Sequence, residues 1–525
     1  MTESGESPVV VNPHERPAPL YTVSQLRALE VCAARQLPAH TLMARAGAAA
    51  ARYLLEIAAH DGSLAAGRTV WLAAGPGNNG GDALVCAAEL RRSGITVEVC
   101  MPREVAPDDA RWALAEARTA GVPISQGPPA SLDDHGWLVD GLFGIGLARP
   151  VEGVFAELAQ RITARARATG RVLALDVPSG LDSDTGNVVG GGAAVFASHT
   201  LTFIGAKPGL YMTHGRDLAG TIAIAPLGID EIDAPAAALL NAPALFAAGF
   251  PPRAFASHKG TFGSLAVVGG DTGMCGAPIL AARAALYAGA GKVHVAFVGS
   301  GAPPYDALHP ELMLHPAEAI GGFALEAMDA LTLGCGMGQG PGAADVLAKA
   351  LSLDVPKLID ADALNLLADD IKLADALAAR GAANDASVLT PHPLEAARLM
   401  GCDTASVQRD RLGTARALAD RFGAVVVLKG AGTVIAAPDG RTAINPTGSA
   451  ALATGGTGDA LAGIIGALLA QNLPRYEAAL AGVYLHGLAA DVLVANGTGP
   501  AGLTAGELAP AVRASLNRLI YPPRP

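Results

Sequence analysis

Apolar residues between positions 22 and 59 recur at helical spacing, and Leu26, Leu29, Leu37, Leu42, Met43 and Leu54 predict two amphipathic helices. After them the period changes. Short apolar runs at 69–74, 96–101, 136–142, 171–177 and 200–204 alternate with helical stretches, and several lack the polar alternation of a half-exposed strand. Such runs read as parallel strands covered on both faces. They predict a Rossmann-like three-layer α/β domain over 21–230, preceded by a Pro-rich, polar, disordered tail over 1–20. Proline-rich sequence then marks a linker at 231–252, and the alternation restarts with strands at 264–268, 292–298, 330–333, 357–360, 387–390, 424–428 and 433–436. A second α/β domain is expected over 253–525.

Composition refines this picture. Of the 525 residues, 51% are hydrophobic, and the mean hydropathy of +0.34 would suit a membrane protein. Yet the best apolar run, 460–470, is eleven residues long and starts beside Asp459, short of the roughly 18 that spanning requires. It reads as a buried core helix, and no membrane partner is expected. The net charge of −11 and the lack of a basic run exclude a nucleic-acid footprint. An acidic N-terminus without an apolar segment argues against export, and six scattered cysteines without a CxxC pair indicate neither a disulfide framework nor a zinc site. A cytoplasmic location is expected. The chain carries 30 Arg but seven Lys, none before position 207, so each lysine draws notice.

Candidate chemistry lies in the glycine-rich segments that follow the strands. Gly75-Pro-Gly-Asn-Asn-Gly-Gly-Asp82 leads from the 69–74 strand into a helix expected from about Ala83. Glycines admit a ligand close to the backbone, and free amides at a helix N-terminus bind anionic oxygens. Asp140-Gly-Leu-Phe-Gly-Ile-Gly-Leu-Ala-Arg-Pro150 and Asp176-Val-Pro-Ser-Gly-Leu-Asp-Ser-Asp184 end neighbouring strands, so Asp140 and Asp176 are expected to face one crevice. For either aspartate alone, capping the next helix is an equal reading; three converging loops favour a site. Asn79, Asp140 and Ser179 offer hard oxygen ligands, which makes a cation a candidate.

In the second half, Asn445-Pro-Thr-Gly-Ser-Ala-Ala-Leu-Ala-Thr-Gly-Gly-Thr-Gly-Asp459 opens an apolar helix at 460–469. Successive amides there form an anion hole for a transferring phosphoryl group, and Asp459 follows where it can accept a proton from an attacking hydroxyl. Supporting segments close other strands: Gly269–Ala277, Gly334–Gly338, Asp360–Asn365, Leu389–Glu395 and Lys429–Thr433. As lone residues His392 and Lys429 are more often structural, and His486 and Asp491, on a helix expected over 478–494, are read as structural.

These motifs carry two resemblances. GPGNNGGD, DGLFGIGLARP, DVPSGLDSDTG and Thr202-Phe-Ile-Gly-Ala-Lys-Pro-Gly-Leu210 make residues 21–227 resemble the NAD(P)H-hydrate epimerase family. That resemblance implies that Asn78, Asn79, Gly80, Gly81 and Asp82, with Gly144, Ile145, Gly146, Leu147, Ala148, Arg149 and Pro150, hold the hydrated nucleotide. It also implies that Asp176 acts at the reacting centre and that potassium sits at Asn79, Asp140 and Ser179. Ala83 and Ala44 depart from the family pattern, which has glycine and usually an acidic residue there. Residues 255–519 resemble the ADP-dependent NAD(P)H-hydrate dehydratases, which implies a ribokinase-like fold. The hydrated nucleotide is then expected against Ala277, Gly338, His392 and Asp459, and ADP along Lys429, Gly430, Ala431, Gly432, Thr433 and Gly458, with Mg²⁺ on the phosphates. Cys335 and Leu394 stand where that family often has proline and glycine, and altered packing is the expected consequence.

Together the resemblances imply a bifunctional, homo-oligomeric enzyme that interconverts the R and S forms of NADHX and NADPHX and dehydrates the S form with ADP. The choice of ADP rests on resemblance alone. The alternative is a ribokinase-like kinase for a small metabolite fused to a non-catalytic nucleotide-binding module.

Overall fold

In the computed structural model the described residues are 9–11, 16–64, 68–229, 235–319, 321–382 and 387–522. They divide into two compact units, the first of residues 9–11 and 18–238 and the second of residues 16–17 and 239 onward.

The two expected N-terminal helices form at Val23–Ala34 and Thr41–Asp61. Thr22 and Gln25 exchange hydrogen bonds in a capping box that starts the first, and Gly62, in the left-handed conformation, ends the second. Across the first unit's sheet the order is Val9–Val10, Thr221–Ala225, His199–Phe203, Val172–Leu175, His135–Gly141, Thr69–Ala74, Val97–Cys100 and Ile124–Ser125. All neighbours are parallel except Val9–Val10 against Thr221–Ala225. From Thr69–Ala74 the chain adds strands first on one side and then on the other. The order therefore reverses between Thr69–Ala74 and His135–Gly141, and a parallel sheet opens its ligand crevice at the carboxyl ends of such a pair.

The five strands expected here appear within about two residues, a typical boundary error. Val9–Val10 and Ile124–Ser125 are too short to carry a period, and the alanines of Thr221–Ala225 blur its apolar contrast. The expectation of a disordered tail over 1–20 is corrected where residues are described. Val9 and Val10 pair with Ile224 and Ala223, and Leu20 is buried; residues 1–8 and 12–15 lie outside the described residues.

In the second unit the order is Met313–His315, Lys292–Phe297, Ser264–Gly269, Ala330–Leu333, Lys357–Ile359, Val388–Leu389, Val425–Leu428, Val434–Ala436, Thr442–Ile444 and Ala238–Leu240. It reverses between Ser264–Gly269 and Ala330–Leu333, again the strands that lead into glycine loops. The linker expected at 231–252 needs correction as well. Ala238–Leu240 pairs with Thr442–Ile444 and Phe246 is buried in the core, while 230–234 lie outside the described residues.

Small residues let the helices of this unit pack closely. A Cβ on Gly463 would lie 1.9 Å from the Ala281 carbonyl oxygen, so helix Thr457–Ala470 can cross helix Gly276–Tyr287 only as glycine there. Helix Arg475–Ala495, expected over 478–494, is long and apolar enough to cross a membrane. That corrects the reading in which 460–470 was the best candidate. Since 67% of its most apolar stretch is buried within the unit, a core role accounts for its composition.

Candidate active sites

The first site forms where the first unit's strand order reverses. Helix Asn78–Arg92 starts earlier than expected, with Gly77 as its N-cap, so Asn78 to Asp82 lie inside its first turns rather than in a loop. The earliest amides of a helix have no intrahelical acceptor, which gives this end its affinity for anions. Asp140, fully buried, accepts from the Ser179 amide at 2.8 Å and the Ser179 hydroxyl at 2.7 Å, and Ser179 Oγ accepts from the Phe143 amide at 2.8 Å. Burial pushes the Asp140 carboxyl up to about 6, against the opposing pull of those hydrogen bonds. Asn79 is 7% exposed, yet neither side-chain Oδ1 nor Nδ2 has a hydrogen-bond partner. A buried amide left unpaired costs free energy, so a partner from outside the protein would stabilise it. Ala83, the departure noted above, packs against Gly141, where a Cβ would come within 2.5 Å of the Ala83 methyl.

Asp176 lies at the end of Val172–Leu175 with φ +66°. Its Oδ2 accepts from the Ile145 amide at 3.2 Å, and a Cβ on Gly144 would fall 3.0 Å from that oxygen and 3.4 Å from Asn79 Cγ. The 144–150 loop, Asn79 and Asp176 thus converge, whereas Ala148, Arg149 and Pro150 are exposed at its far end. Two further carboxyls interact electrostatically with Asp176. Glu30, on the first helix, is raised by burial and by the charge of Asp176, and Asp82 is raised well above the ordinary carboxylate range by burial, Asp176 and Glu30. Arg27, three residues before Glu30, borders the loop at Gly146. Sequence reading missed Arg27 and Glu30, although their spacing puts both on one helix face.

In the second site, Gly456 at φ +88° caps helix Thr457–Ala470, and Thr457 Oγ1 donates to the Leu452 and Thr454 carbonyls, closing the turn. Thr454 and Gly455 are exposed. Beneath the turn, burial pushes His486 down to about 4, and its ring bonds the Thr457 backbone. Asp491 accepts from the Gly448 amide at 2.8 Å. Asp459 stands in the first helical turn, raised by burial, with the buried Cys335 thiol hydrogen-bonded to its carboxylate. Cys335 was expected only to alter packing; it contributes a donor as well.

The Lys429 ammonium donates to Asp360 Oδ1 at 2.7 Å and lies 3.9 Å from Glu395 Oε2. Burial would lower Lys429, but the two carboxylates outweigh it and the net direction is up. Its charge is therefore largely matched within the protein. Glu395 is pushed up to about 7, with burial as the main cause and Lys429 opposing it. Arg411, 2% exposed, fastens the 428–432 loop by donating to the carbonyls of Leu428, Lys429 and Gly432.

Two expected contacts look different in the structure. His392 Nδ1 accepts from the amides of Leu394 and Glu395, so the imidazole caps helix Pro393–Met400, and its Nε2 lies 3.2 Å from Glu395 Oε1. Burial and Lys429 lower its pKa, which suits a ring nitrogen that must accept. The Gly338 amide is occupied by Asp362 at 2.9 Å. Ala277 lies at the start of helix Gly276–Tyr287, beside Gly336.

Two largely parallel sheets, the second with antiparallel pairs at Val425–Leu428 against Val434–Ala436 and Val434–Ala436 against Thr442–Ile444, each carry a glycine-lined helix N-terminus and a carboxylate near the point where the strand order reverses, and they define a nucleotide-handling α/β enzyme with two sites. Family models described as "YjeF-related protein N-terminus" and "NAD(P)H-hydrate dehydratase" match residues 39–209 and 265–512. The bifunctional NAD(P)H-hydrate repair enzyme Nnr of Coxiella burnetii is 38% identical over 507 residues, covering 95% of this chain and 99% of the relative. The ADP-dependent (S)-NAD(P)H-hydrate dehydratase of Neisseria meningitidis is 50% identical over 273 residues, 51% of this chain and 90% of the relative. A crystal structure of the Bacillus subtilis ADP/ATP-dependent NAD(P)H-hydrate dehydratase, co-crystallised with ATP/Mg²⁺, is 30% identical with a TM-score of 0.44, covering 52% of this chain and 95% of that one. The chain belongs to the family of bifunctional NAD(P)H-hydrate repair enzymes.

Proposed function

We propose that the first unit interconverts the R and S epimers of hydrated NADH and NADPH, and that the second dehydrates the S epimer with ADP, giving AMP and phosphate. The observation that carries this reading is the pairing, in one chain related over 95% of its length to a bifunctional repair enzyme, of a helix N-terminus with a carboxylate in each unit, Asp176 buried in the first and Asp459 half-buried in the second. In the first site the amides of helix Asn78–Arg92 hold phosphate or carboxamide oxygens. Asp176 exchanges a proton with the hydroxyl at the hydrated ring carbon as it leaves and readds on the other face. The orphaned Asn79 amide, Asp140 and Ser179 suit K⁺, which would balance the buried Asp140 charge and tie the 140–146 and 176–179 loops together.

In the second site Asp459 takes the proton of the same hydroxyl while the amides of Gly455 to Gly458 face the transferring phosphoryl group. Loss of phosphate from that carbon, together with a proton from the adjacent ring carbon, then restores the dihydropyridine. Mg²⁺ would be carried on the phosphates of ADP, which the 429–433 and 454–458 backbone would hold. The test supplies purified R and S epimers with ADP or ATP and follows recovery of the reduced-nicotinamide absorbance. Wild type converts both epimers, Asp176→Asn stalls with R left over, and Asp459→Ala stops recovery while R and S still exchange. Accumulation of a phosphorylated product that never releases phosphate would refute dehydration and favour a kinase.

A further inference from the structure

The chain uses arginine for 30 of its 37 basic residues, and its first lysine, Lys207, is buried in the first site. The Lys207 side chain is 1% exposed. An ammonium group has three N–H donors. Here they meet three acceptors: Asp176 Oδ1 at 2.6 Å, Thr202 Oγ1 at 2.7 Å and the Phe203 carbonyl at 2.9 Å. No donor is left over for a ligand, so any effect of Lys207 on the reaction passes through Asp176. The compact cage also explains a lysine in an arginine-rich chain, because a planar guanidinium with five donors cannot be satisfied by it.

The consequence for Asp176 is directional. Oδ1 is committed to the ammonium, while Oδ2 takes the single longer bond from Ile145 and borders the Gly144 turn. The backbone is fixed as well, since Asp176 at φ +66° donates its amide to Leu201 O at 2.7 Å. A carboxyl that must move a proton needs one oxygen held within hydrogen-bond reach of the reacting hydroxyl. We propose that Lys207 is the positioning residue of the epimerase site, anchoring Asp176 Oδ1 so that Oδ2 is presented toward the 144–146 loop and the hydrated ring. This rests on the epimerase reading above.

The test compares full-length wild type, Lys207→Met, Lys207→Ala and Lys207→Arg, measuring R-to-S conversion by NMR. Dehydration of S epimer by the same samples reports the second unit, and fluorescence of Trp71, Trp112 and Trp137 reports folding of the first. For Lys207→Met the expected result is a kcat lower by about 100-fold with KM within about threefold. Methylammonium should recover at least about tenfold of the loss in Lys207→Ala, and Lys207→Arg should stay impaired. A Lys207→Met kcat within about threefold of wild type, or a loss confined to KM, overturns the proposal. So does failure of methylammonium to restore a folded Lys207→Ala. Should these variants lose the tryptophan signal, Thr202→Val, which removes one acceptor and keeps the ion pair, decides. A kcat lower by about tenfold at unchanged KM supports the role, and an unchanged kcat ends it. Wild type that does not exchange the epimers refutes the epimerase reading itself, a separate outcome.

Discussion

Replacing Glu395 by glutamine should flatten the pH dependence of the second unit's stability. Glu395 is 4% exposed, and its pKa rises from an ordinary 4.5 to about 7, chiefly through burial. Between those values the folded protein holds a proton that the unfolded chain has already released. More protons bound in the folded state means that stability falls as pH rises through this window and levels off above about 7. At about 1.4 kcal/mol per decade of proton affinity, the ionisation of Glu395 removes about 3 kcal/mol between pH 4.5 and 8. Glutamine escapes that loss. It has one acceptor oxygen where Glu395 has two, one for the His392 amide at 2.7 Å and one near His392 Nε2, so it gives up a hydrogen bond worth about 1 kcal/mol at every pH. The variant should be slightly less stable near pH 5 and more stable, by about 2 kcal/mol, near pH 8. Calorimetry without nucleotide can measure this, since all three tryptophans lie in the first unit and their fluorescence identifies its transition, leaving the other to the second. A difference between variant and wild type that stays constant from pH 5 to 8, or shrinks, would refute the argument.

Three further outcomes follow from the geometry. Replacing K⁺ with tetramethylammonium should slow epimer exchange and leave dehydration untouched, and Asn79→Ala should weaken the response to K⁺; equal rates in both salts would remove K⁺ from the site. Gly463→Ala should destabilise the second unit by about 1–3 kcal/mol and lower dehydration, because its Cβ meets a backbone carbonyl and helix Thr457–Ala470 carries Asp459; calorimetry and the absorbance assay check both. Arg411→Met frees the 428–432 carbonyls and should raise the KM for ADP by about tenfold with the KM for the hydrate unchanged, so an equal rise in both would contradict the assignment of that loop to ADP.

How much of this was legible in the sequence depends on whether a feature is local. Strands such as Ala330–Leu333 were found because a doubly covered parallel strand writes its burial as an unbroken apolar run. The glycine loops were found because close approach to a ligand leaves a local mark. Lys207 and Asp176 are 31 residues apart, Lys429 and Asp360 are 69, and Cys335 reaches Asp459 from another loop altogether. Such pairs depend on strand order, which the sequence does not print. The start of helix Asn78–Arg92 was misjudged for a related reason: two glycines and two asparagines argue against helix locally, but the crevice requires amides, and tertiary packing overrides propensity.

The same pairs explain how a chain of net charge −11 can hold polyanionic nucleotides. Its two site lysines do not stand free: Lys207 is held by Asp176, and Lys429 by Asp360 with Glu395 nearby. Each ammonium thus organises a carboxylate rather than offering a naked charge to phosphate. In the proposed reading, attraction for phosphate then falls to backbone amides at the starts of helices Asn78–Arg92 and Thr457–Ala470, whose dipoles carry partial rather than whole charges and act only within the first turn. Recognition by such groups is short-ranged and directional. It tolerates a strongly acidic surface, because beyond about 10 Å exposed charges are screened at ordinary ionic strength. Net charge therefore bears on long-range partners, whereas the nucleotide binding proposed above would be decided inside two glycine-lined turns.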